Sequence, residues 1–331
     1  MPKVHFLNVR NGDCSIIQHG SKRVSVIDVN CASIPLMAKS ASFSMAERYQ
    51  RRPWDPVPGN YGQKEDEDNP VLYLRKLQVS QIFRFILTHP DMDHLGGVKD
   101  LFNEFRPINF WDTANTKEFV PGSFGSRTDL EANWGFYKNL RDTNSATDPK
   151  RVVYYSGNSN DYFKKDGLSI LAPTTDLVAA GNKKKNWNDA SYVILYRACG
   201  KKILFSGDSE DKTWEHILER WNDAVSNLDV LIAPHHGRHS GRSYDFLSVT
   251  KPKLTLYGNA SSDHLAYKPW HNRKLLILTN NQSGYIILNI LSEKIEVFVK
   301  NKTYATNVCS KNGRNTYYSK EYDAWFLGNV T

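Results

Sequence analysis

The stretch from Thr88 to Gly97 concentrates side chains that can bind metal ions. His89, Asp91, Asp93 and His94 lie within six residues, directly after an apolar run at 82–87 and before a helical pattern that begins at Gly96-Gly97. This order predicts a loop that leaves the edge of a sheet and turns tightly into a helix. A lone Asp or His in a loop is commonly a helix cap. Four such residues in six favour a metal site instead.

Further candidates follow in the second half of the chain. Asp208 ends a predicted hairpin, and Pro234-His235-His236-Gly237 follows an apolar strand. Two divalent cations at a separation of about 3.5–4 Å need a bridging carboxylate, and Asp208 is the candidate for this role. Adjacent histidines in a strand or turn point in different directions. We therefore expect one of His235 and His236 to bind metal and the other to donate a hydrogen bond, and the sequence leaves open which.

The elements that position these residues occur twice. A hairpin, a helix and an apolar strand precede His89, and the same order precedes His235. Asp28 ends the first hairpin as Asp208 ends the second, and we expect Asp28 to orient a ligand or the loop, whereas Asn8 and Asp13 serve turns. This plan predicts two sheets packed face to face, with helices outside and the polar loops at one edge. Residues 31–70 and 113–165 break the pattern and are predicted as inserted loops.

Composition narrows the class of protein. The 331 residues are 40% apolar and 24% charged, which indicates a folded core and excludes global disorder. The chain lacks an apolar run of about 18 residues and a secretion signal, so no membrane association is expected. Four widely spaced cysteines without a C-x-x-C pair suit a reducing compartment, the cytoplasm. The net charge of +8 favours a polyanionic partner such as nucleic acid.

The histidine and aspartate spacing resembles a known family. Residues 89–94 resemble the H-x-H-x-D-H signature of the metallo-β-lactamase fold superfamily, with Asp91 in place of the second His. This variant is similar to the hydrolase domain of the competence DNA-uptake proteins (ComEC), and the motifs around Asp13, Asp28, Asp189, Asp208 and His235 add to the likeness. The resemblance implies an α+β fold, a four-layer αββα sandwich of two related halves. The hydrolase domain would cover 1–300, with a basic, aromatic C-terminal extension at 301–331.

The same resemblance implies the ligands of two divalent metal ions. His89 and Asp91 would bind one ion, Asp93 and His94 the other, and His235 or His236 would complete the second. Asp189 lies near the usual position of a third-motif His and would replace it. The metal ligands are thus His89, Asp91, Asp93, His94, Asp189, Asp208 and His235, and the catalytic residues are Asp93, His236 and His264. Oxygen ligands favour Mn²⁺ or Fe²⁺, with Zn²⁺ as the alternative.

The activity implied is hydrolysis by a metal-activated hydroxide. We expect a phosphodiesterase or nuclease, because exposed basic and aromatic residues suit a nucleic-acid backbone and its bases. Candidate segments are Lys183–Trp187, the C-terminal stretch from Lys300 to Tyr318, and Arg51–Trp54. One alternative is a small phosphoester or lactone hydrolase of the same fold. Another is a metal-binding effector or interaction subunit with little turnover.

Overall fold

The computed structural model describes residues 1–33, 53–120, 122–143, 149–260 and 264–331. Its strands are β1 (Lys3–Phe6), β2 (Ser15–Gln18), β3 (Val24–Ile27), β4 (Arg84–Ile86), β5 (Asn109–Trp111), β6 (Lys150–Val152), β7 (Leu168–Ala172), β8 (Val193–Ala198), β9 (Lys201–Phe205), β10 (Val230–Ile232), β11 (Leu254–Tyr257), β12 (Ile277–Thr279), β13 (Ile286–Ile290), β14 (Ile295–Val299), β15 (Tyr318–Ser319) and β16 (Ala324–Val330). Its α-helices are α1 (Pro70–Lys76), α2 (Val98–Phe105), α3 (Thr128–Asp142), α4 (Asp161–Lys165), α5 (Thr175–Lys184), α6 (Asp211–Arg220), α7 (Asn222–Val225), α8 (Phe246–Thr250), α9 (Tyr267–His271), α10 (Asn280–Ser283) and α11 (Lys302–Lys311).

The strands form two sheets that share one plan. The first sheet has the order β15-β16-β14-β13-β1-β2-β3-β4-β5-β6, and the second has the order β12-β11-β10-β9-β8-β7. In the first sheet the antiparallel hairpin β2–β3 leads into the parallel strand β4. In the second, the antiparallel pair β8–β9 leads into the parallel strand β10. The repeated hairpin and strand that the sequence predicts are confirmed.

The described residues form four layers, with an apolar core between each layer and the next. The largest core lies between the sheets and contains Ile86 from β4 and Phe205 from β9. A second core packs Phe85 from β4 against α2, on the outer face of the first sheet. A third packs α6 and α8 on the outer face of the second sheet. Phe85 and Ile86 point to opposite faces because successive side chains of a strand alternate. The predicted αββα sandwich is confirmed.

The segment predicted as a loop at 113–165 is instead partly helical. It contains α3, the short strand β6 and α4. The buried residues of α3 are Asn133, Trp134, Tyr137 and Arg141. Because two of these four are polar, the apolar stripe is interrupted, and apolar periodicity reveals the helix only weakly. The prediction that residues 113–165 form a loop region is therefore wrong for these elements.

The structure describes only part of the predicted 31–70 insertion. Residues 34–52, which include Arg51 and Arg52, lie outside the described residues. The predicted C-terminal extension contributes β16 to the first sheet, where it pairs antiparallel with β14. Within the described part of the chain, no helix is both long and apolar enough to cross a bilayer.

Candidate metal centre

Parallel pairing brings the two predicted motifs to one edge of the sandwich. Ile27 pairs with Ile86, so Asp28 and the Thr88-His89 pair leave the first sheet side by side. Phe205 pairs with Ile232, so Asp208 and His235 leave the second sheet in the same way. Carboxyl ends of parallel strands meet at a common edge, which is a frequent location of binding sites.

A tight turn then returns the first motif to that edge. Met92–His94 form one 3-10 turn, and the Val29 N–H donates to the His94 carbonyl at 3.2 Å. Gly97 precedes α2 with φ 90°, and a Cβ there would lie 2.4 Å from the Ala32 Cβ. Only a residue without a side chain fits this close approach. The turn therefore holds Asp93 and His94 against the strand that carries His89.

Asp208 lies at the centre of the resulting cluster. Its Oδ1 is 3.4 Å from His94 Nε2, and its Oδ2 is 3.8 Å from both His89 Nε2 and His236 Nε2. Two sets of potential metal ligands result, with the atoms of each set within 4.8 Å of one another. The first set is His89, His94 and Asp208, and the second set is Asp93, His94 and His236. Asp208 is therefore the central carboxylate of the cluster, and its role as a bridging ligand stays a prediction.

The unpartnered polar atoms of the cluster fit a bound cation. The buried Nε2 atoms of His89, His94 and His236 find no hydrogen-bond partner among the described residues, and the same holds for Asp208 Oδ1. Buried polar atoms are ordinarily paired because leaving them unpaired costs about 1–3 kcal/mol each. Imidazole nitrogens and carboxylate oxygens are ligands of Zn²⁺ and related divalent ions. Coordination would satisfy all four atoms together.

Strong electrostatic coupling links these groups. Burial alone would raise the pKa of Asp208, but His236, His94 and His89 hold it well below its usual value. Burial likewise opposes protonation of His236, but Asp13 and Asp208 raise its pKa to about 10. The pKa of His94 is also raised, because Asp28 and Asp208 outweigh its burial. The carboxylates therefore attract positive charge into the cluster, from protons or from metal ions.

Each of two imidazoles is oriented by a carboxylate on its far side. Asp28 Oδ2 lies 2.8 Å from His94 Nδ1, and the Asp28 carboxylate also accepts from the N–H and hydroxyl of Thr88, each at 2.7 Å. Asp13 Oδ1 lies 3.1 Å from His236 Nδ1. Such partners fix the ring nitrogen that faces a metal. Asp28 has the orienting position that the sequence predicts, whereas Asp13 does more than serve a turn.

Asp91 differs from its predicted partners. Its Oδ1 lies 3.9 Å from His89 Nε2 but only 2.5 Å from Lys117 Nζ. Burial raises the pKa of Asp91, but His89 and Lys117 together lower it below its usual value. Lys117 follows β5, 26 residues after Asp91, and no motif in the sequence connects them. An ammonium group thus holds the carboxylate that was predicted to bind the first metal.

Two further predicted residues have other contacts in the structure. Asp189 Oδ1 accepts from the backbone N–H of Thr213 and from its hydroxyl, each at 3.0 Å, at the start of α6. The prediction that Asp189 is a metal ligand is not supported by this position, because its carboxylate is used to anchor α6. The predicted catalytic residue His264 is exposed, and its carbonyl accepts from the His239 N–H. Its neighbours at 261–263 lie outside the described residues.

Both adjacent histidines face Asp208. His235 Nε2 lies 3.5 Å from Asp208 Oδ2, and the His235 side chain is 20% exposed. His236 is fully buried, and its Nε2 lies 3.5 Å from Asp93 Oδ2. The geometry therefore places His236, not His235, in the set with Asp93 and His94. Solvent reaches the cluster through His235 and the partly exposed Asp93.

The predicted basic segments have different surroundings. Lys183, Lys184 and Lys185 are exposed, and the nearby Trp187 ring lies 5.2 Å from the Lys117 ammonium that contacts Asp91. In the C-terminal segment, Lys300 instead pairs with Asp68 at 2.9 Å. Lys302 lies over the Trp325 ring, and Lys311 donates to the Pro56 carbonyl. The first segment thus adjoins the cluster, whereas these C-terminal cations have partners within the protein.

Comparison with known proteins agrees with this fold. Residues 54–158, less than half of the chain, match the family described as Metallo-beta-lactamase superfamily. The αββα sandwich is the type of fold found in metallo-β-lactamases, and the structure adds a candidate metal site of His and Asp residues. The matched stretch is similar to the metallo-β-lactamase superfamily, and it carries the His89–His94 motif. No curated protein sequence matches the chain at a significant level.

Several solved structures are similar at low identity. One is Igni18, a metallo hydrolase from the archaeon Ignicoccus hospitalis KIN4/I, with 12% identity, a TM-score of 0.46, and coverage of 87% of this chain and 99% of that chain. Another is CmlA, a diiron β-hydroxylase from Streptomyces venezuelae, with 11% identity, a TM-score of 0.47, and coverage of 87% and 54%. A diphosphatase of the PhnP family has 12% identity, a TM-score of 0.37, and coverage of 84% and 94%. The chain therefore spans about half the length of CmlA.

Proposed function

We propose that the protein is a metal-dependent hydrolase with two divalent cations bound around Asp208. The observation that carries this proposal is the convergence of four buried, unpartnered ligand atoms from His89, His94, His236 and Asp208. When bound, such cations lower the pKa of coordinated water to about 7 and so make hydroxide available at neutral pH.

The two sets of ligands are unequal in this proposal. Asp93, His94 and His236 form a set with orienting carboxylates behind both of its imidazoles. The other set consists of His89, the shared His94 and Asp208, and it gains Asp91 only if Lys117 releases that carboxylate. Imidazole ligands suit Zn²⁺, whereas added carboxylates favour Mn²⁺ or Fe²⁺. We therefore propose that the set around His236 fills first.

The partly exposed His235 is the imidazole that can meet a substrate. It shares Asp208 with the buried ligands but retains contact with solvent. Burial lowers the pKa of His235 to about 4, so the ring is neutral near pH 7 and can accept a proton or a hydrogen bond. We propose that His236 is the ligand and that His235 faces the substrate, the reverse of the assignment made from the sequence. Asp93 keeps both of its predicted roles, metal ligand and catalytic residue, and it lies at the solvent-facing side of the cluster.

A phosphodiester, most naturally that of a nucleic acid, is the proposed substrate. The exposed Lys183, Lys184 and Lys185 lie next to Trp187, which connects through Lys117 to Asp91. Lysines attract a phosphate backbone, whereas Trp187 is itself buried, so its ring is not available to stack with a base. The resemblance of residues 89–94 to the hydrolase domain of the DNA-uptake proteins (ComEC) suggests the same substrate class. The four cysteines form no disulfide among the described residues, and we propose a reducing compartment.

Metal content and turnover test the proposal together. The purified protein would be assayed for bound metal, then incubated with labelled single- and double-stranded DNA and RNA, a small phosphodiester, a phosphomonoester and a lactone, with Zn²⁺, Mn²⁺, Fe²⁺ or chelator. We expect metal-dependent cleavage of a phosphodiester. Cleavage of the lactone or monoester alone would favour the small-molecule alternative. Bound metal without turnover of any substrate would favour an effector or interaction subunit.

Two matched variants locate the activity. Asp208→Asn should abolish turnover and metal binding, because it removes the negative charge that faces His89, His94 and His236, and Asp93→Ala should abolish turnover with the fold largely intact. Asp229→Asn is the control, since Asp229 is also a buried aspartate, but it precedes β10 and pairs with Lys253 at 2.7 Å. Wild-type turnover by Asp208→Asn would contradict the proposed site.

A further inference from the structure

Arg242 is a buried cation that has no ion-pair partner among the described residues. Its side chain is 5% exposed, and its Nε donates to the Ser240 hydroxyl at 2.6 Å. Its two terminal nitrogens, Nη1 and Nη2, are buried and have no hydrogen-bond partner among the described residues. Leaving a guanidinium in this state is costly, because charged groups are buried in proteins only when paired. The unpaired end of Arg242 therefore indicates a ligand that supplies acceptors.

The loop that carries Arg242 begins at the candidate metal centre. Arg242 lies six residues after His236, in the connection between the histidine pair and α8. The loop is anchored at both ends, because the Arg238 N–H donates to the His235 carbonyl and the Ser243 N–H donates to Asp211 Oδ1. Asp211 in turn follows Asp208 by three residues. These anchors hold Arg242 beside the strands that carry Asp208 and His235.

Carboxylates in the same region are already occupied. Glu210 accepts from the side-chain amides of Asn186 and Asn188. Asp211 accepts from the Ser243 N–H, and Asp245 accepts from the Ser243 hydroxyl. Burial lowers the pKa of Arg242, and Asp208, which has the histidines as partners, is the carboxylate that most opposes this shift. Arg242 is thus held near the cluster without being neutralised by it.

Other unpartnered polar atoms accompany the guanidinium. The buried hydroxyl of Tyr244, two residues further along the same loop, has no partner in the described structure. His235 Nδ1 is buried and unpartnered as well. Tyrosine hydroxyl and guanidinium groups both donate hydrogen bonds, and the planar fork of arginine matches two oxygens of one phosphate. The shared requirement of these donors is an oxyanion.

We propose that Arg242, with the Tyr244 hydroxyl beside it, binds the non-bridging oxygens of a substrate phosphate next to the metal centre. This inference rests on the proposed hydrolase function and assigns the residues that would bind the phosphate group of its phosphodiester substrate. A lactone has no anionic oxygen pair for the fork of Arg242. Arg242 is accordingly a substrate-binding residue, and it contributes through contact with the phosphate group and not through the metal ligands.

Inorganic phosphate is the probe that separates this inference from the proposed function. Binding of phosphate to the metal-free protein would be measured by titration calorimetry for the wild type, Arg242→Gln and Arg242→Lys. We expect Arg242→Gln to weaken phosphate binding on the order of 10- to 100-fold, the range for hydrogen bonds to charged groups. Arg242→Lys keeps the charge but loses the planar fork, and it should lose part of the affinity. Arg273→Gln is the control, because Arg273 approaches the same loop through Asp245 at 3.8 Å.

Turnover of a small phosphodiester by the metal-loaded protein supplies the second readout. Arg242→Gln should raise KM by a similar factor and retain the wild-type metal content, and Arg273→Gln should change neither. Arg242-dependent phosphate binding without any turnover would support the inference and refute the hydrolase. Unchanged phosphate affinity and KM in a folded Arg242→Gln protein would overturn the inference and leave the hydrolase standing. If Arg242→Gln does not fold, an Arg242→Lys protein with wild-type phosphate affinity and KM would overturn it equally.

Discussion

Replacing Asp28 by Asn tests whether the orienting carboxylate determines metal binding. Asp28 accepts three hydrogen bonds, two from Thr88 at 2.7 Å and one from His94 Nδ1 at 2.8 Å. Asparagine has nearly the same shape, but one of its two polar ends donates instead of accepting. An NH₂ group in place of Asp28 Oδ2 would face two donors, the Thr88 hydroxyl and His94 Nδ1, and could accept a hydrogen bond from neither. The variant therefore loses the charge behind His94 without leaving a cavity.

The structure sets the size of the expected effect. A hydrogen bond to a charged group contributes about 1.5–3 kcal/mol. Loss of a carboxylate behind a metal-binding histidine weakens metal affinity about 10- to 100-fold, or roughly 1.4–2.7 kcal/mol. The two ranges agree because the same bond fixes which nitrogen of His94 faces Asp208. We expect Asp28→Asn to remain folded and to bind metal within this weaker range.

Competition with a chromophoric chelator measures this affinity directly. Asp229→Asn is the matched control, because Asp229 accepts from the Lys202 N–H and pairs with Lys253, outside the cluster. It should lose stability but keep wild-type metal affinity. A folded Asp28→Asn protein with wild-type affinity would refute the orienting role of the carboxylate.

Three further perturbations test other contacts. Lys117→Met should free Asp91 from its ion pair and raise metal affinity up to about fivefold. Metal occupancy measured under limiting metal should then be higher than in the wild type, and unchanged occupancy would show that Lys117 does not compete with metal for Asp91. Burial lowers the pKa of His5 to about 4, so the unfolded chain binds this proton at a higher pH than the folded protein does. The free energy of unfolding should therefore fall as the pH drops from about 6.5 to 4, by up to about 1.4 kcal/mol per pH unit. Urea titrations of His5→Gln should show a shallower fall with pH, and a slope identical to that of the wild type would refute this. Gly237→Ala should cost about 2–4 kcal/mol, because its φ is 83° and a Cβ would lie 2.4 Å from the Tyr257 ring; an unchanged Tm would exclude this clash.

Local spacing and strand order account for what the sequence predicted well. His89, Asp93 and His94 belong to one short segment that follows β4, a strand parallel to β3. Asp208 likewise follows β9, a strand parallel to β10. Residues at the ends of parallel strands meet whatever the length of the intervening chain. The fold and the centre of the cluster could therefore be predicted without knowledge of the loops.

The remaining contacts depend on the packing of loops. Lys117 reaches Asp91 from beyond β5, and Arg242 returns from the loop after His236; neither has a neighbouring residue type that would reveal its role. Asp189 has a suitable residue type and spacing, but the start of α6 provides closer donors from Thr213. Spacing along the chain limits which residues can be near, but not which donor a carboxylate will face.

The backbone of the histidine pair explains why both rings reach one carboxylate. Adjacent side chains diverge in an extended strand, but His235 and His236 have φ values of 53° and 57°, and Gly237 follows at 83°. A left-handed conformation costs a non-glycine residue about 1–2 kcal/mol. It is held here because Asp13 contacts one ring, Asp208 faces both, and Tyr257 leaves no room for a side chain at Gly237. Strained backbone of this kind is concentrated at functional sites. These protein contacts place both imidazoles on one carboxylate, which is the kind of support from the surrounding fold that a binding site requires.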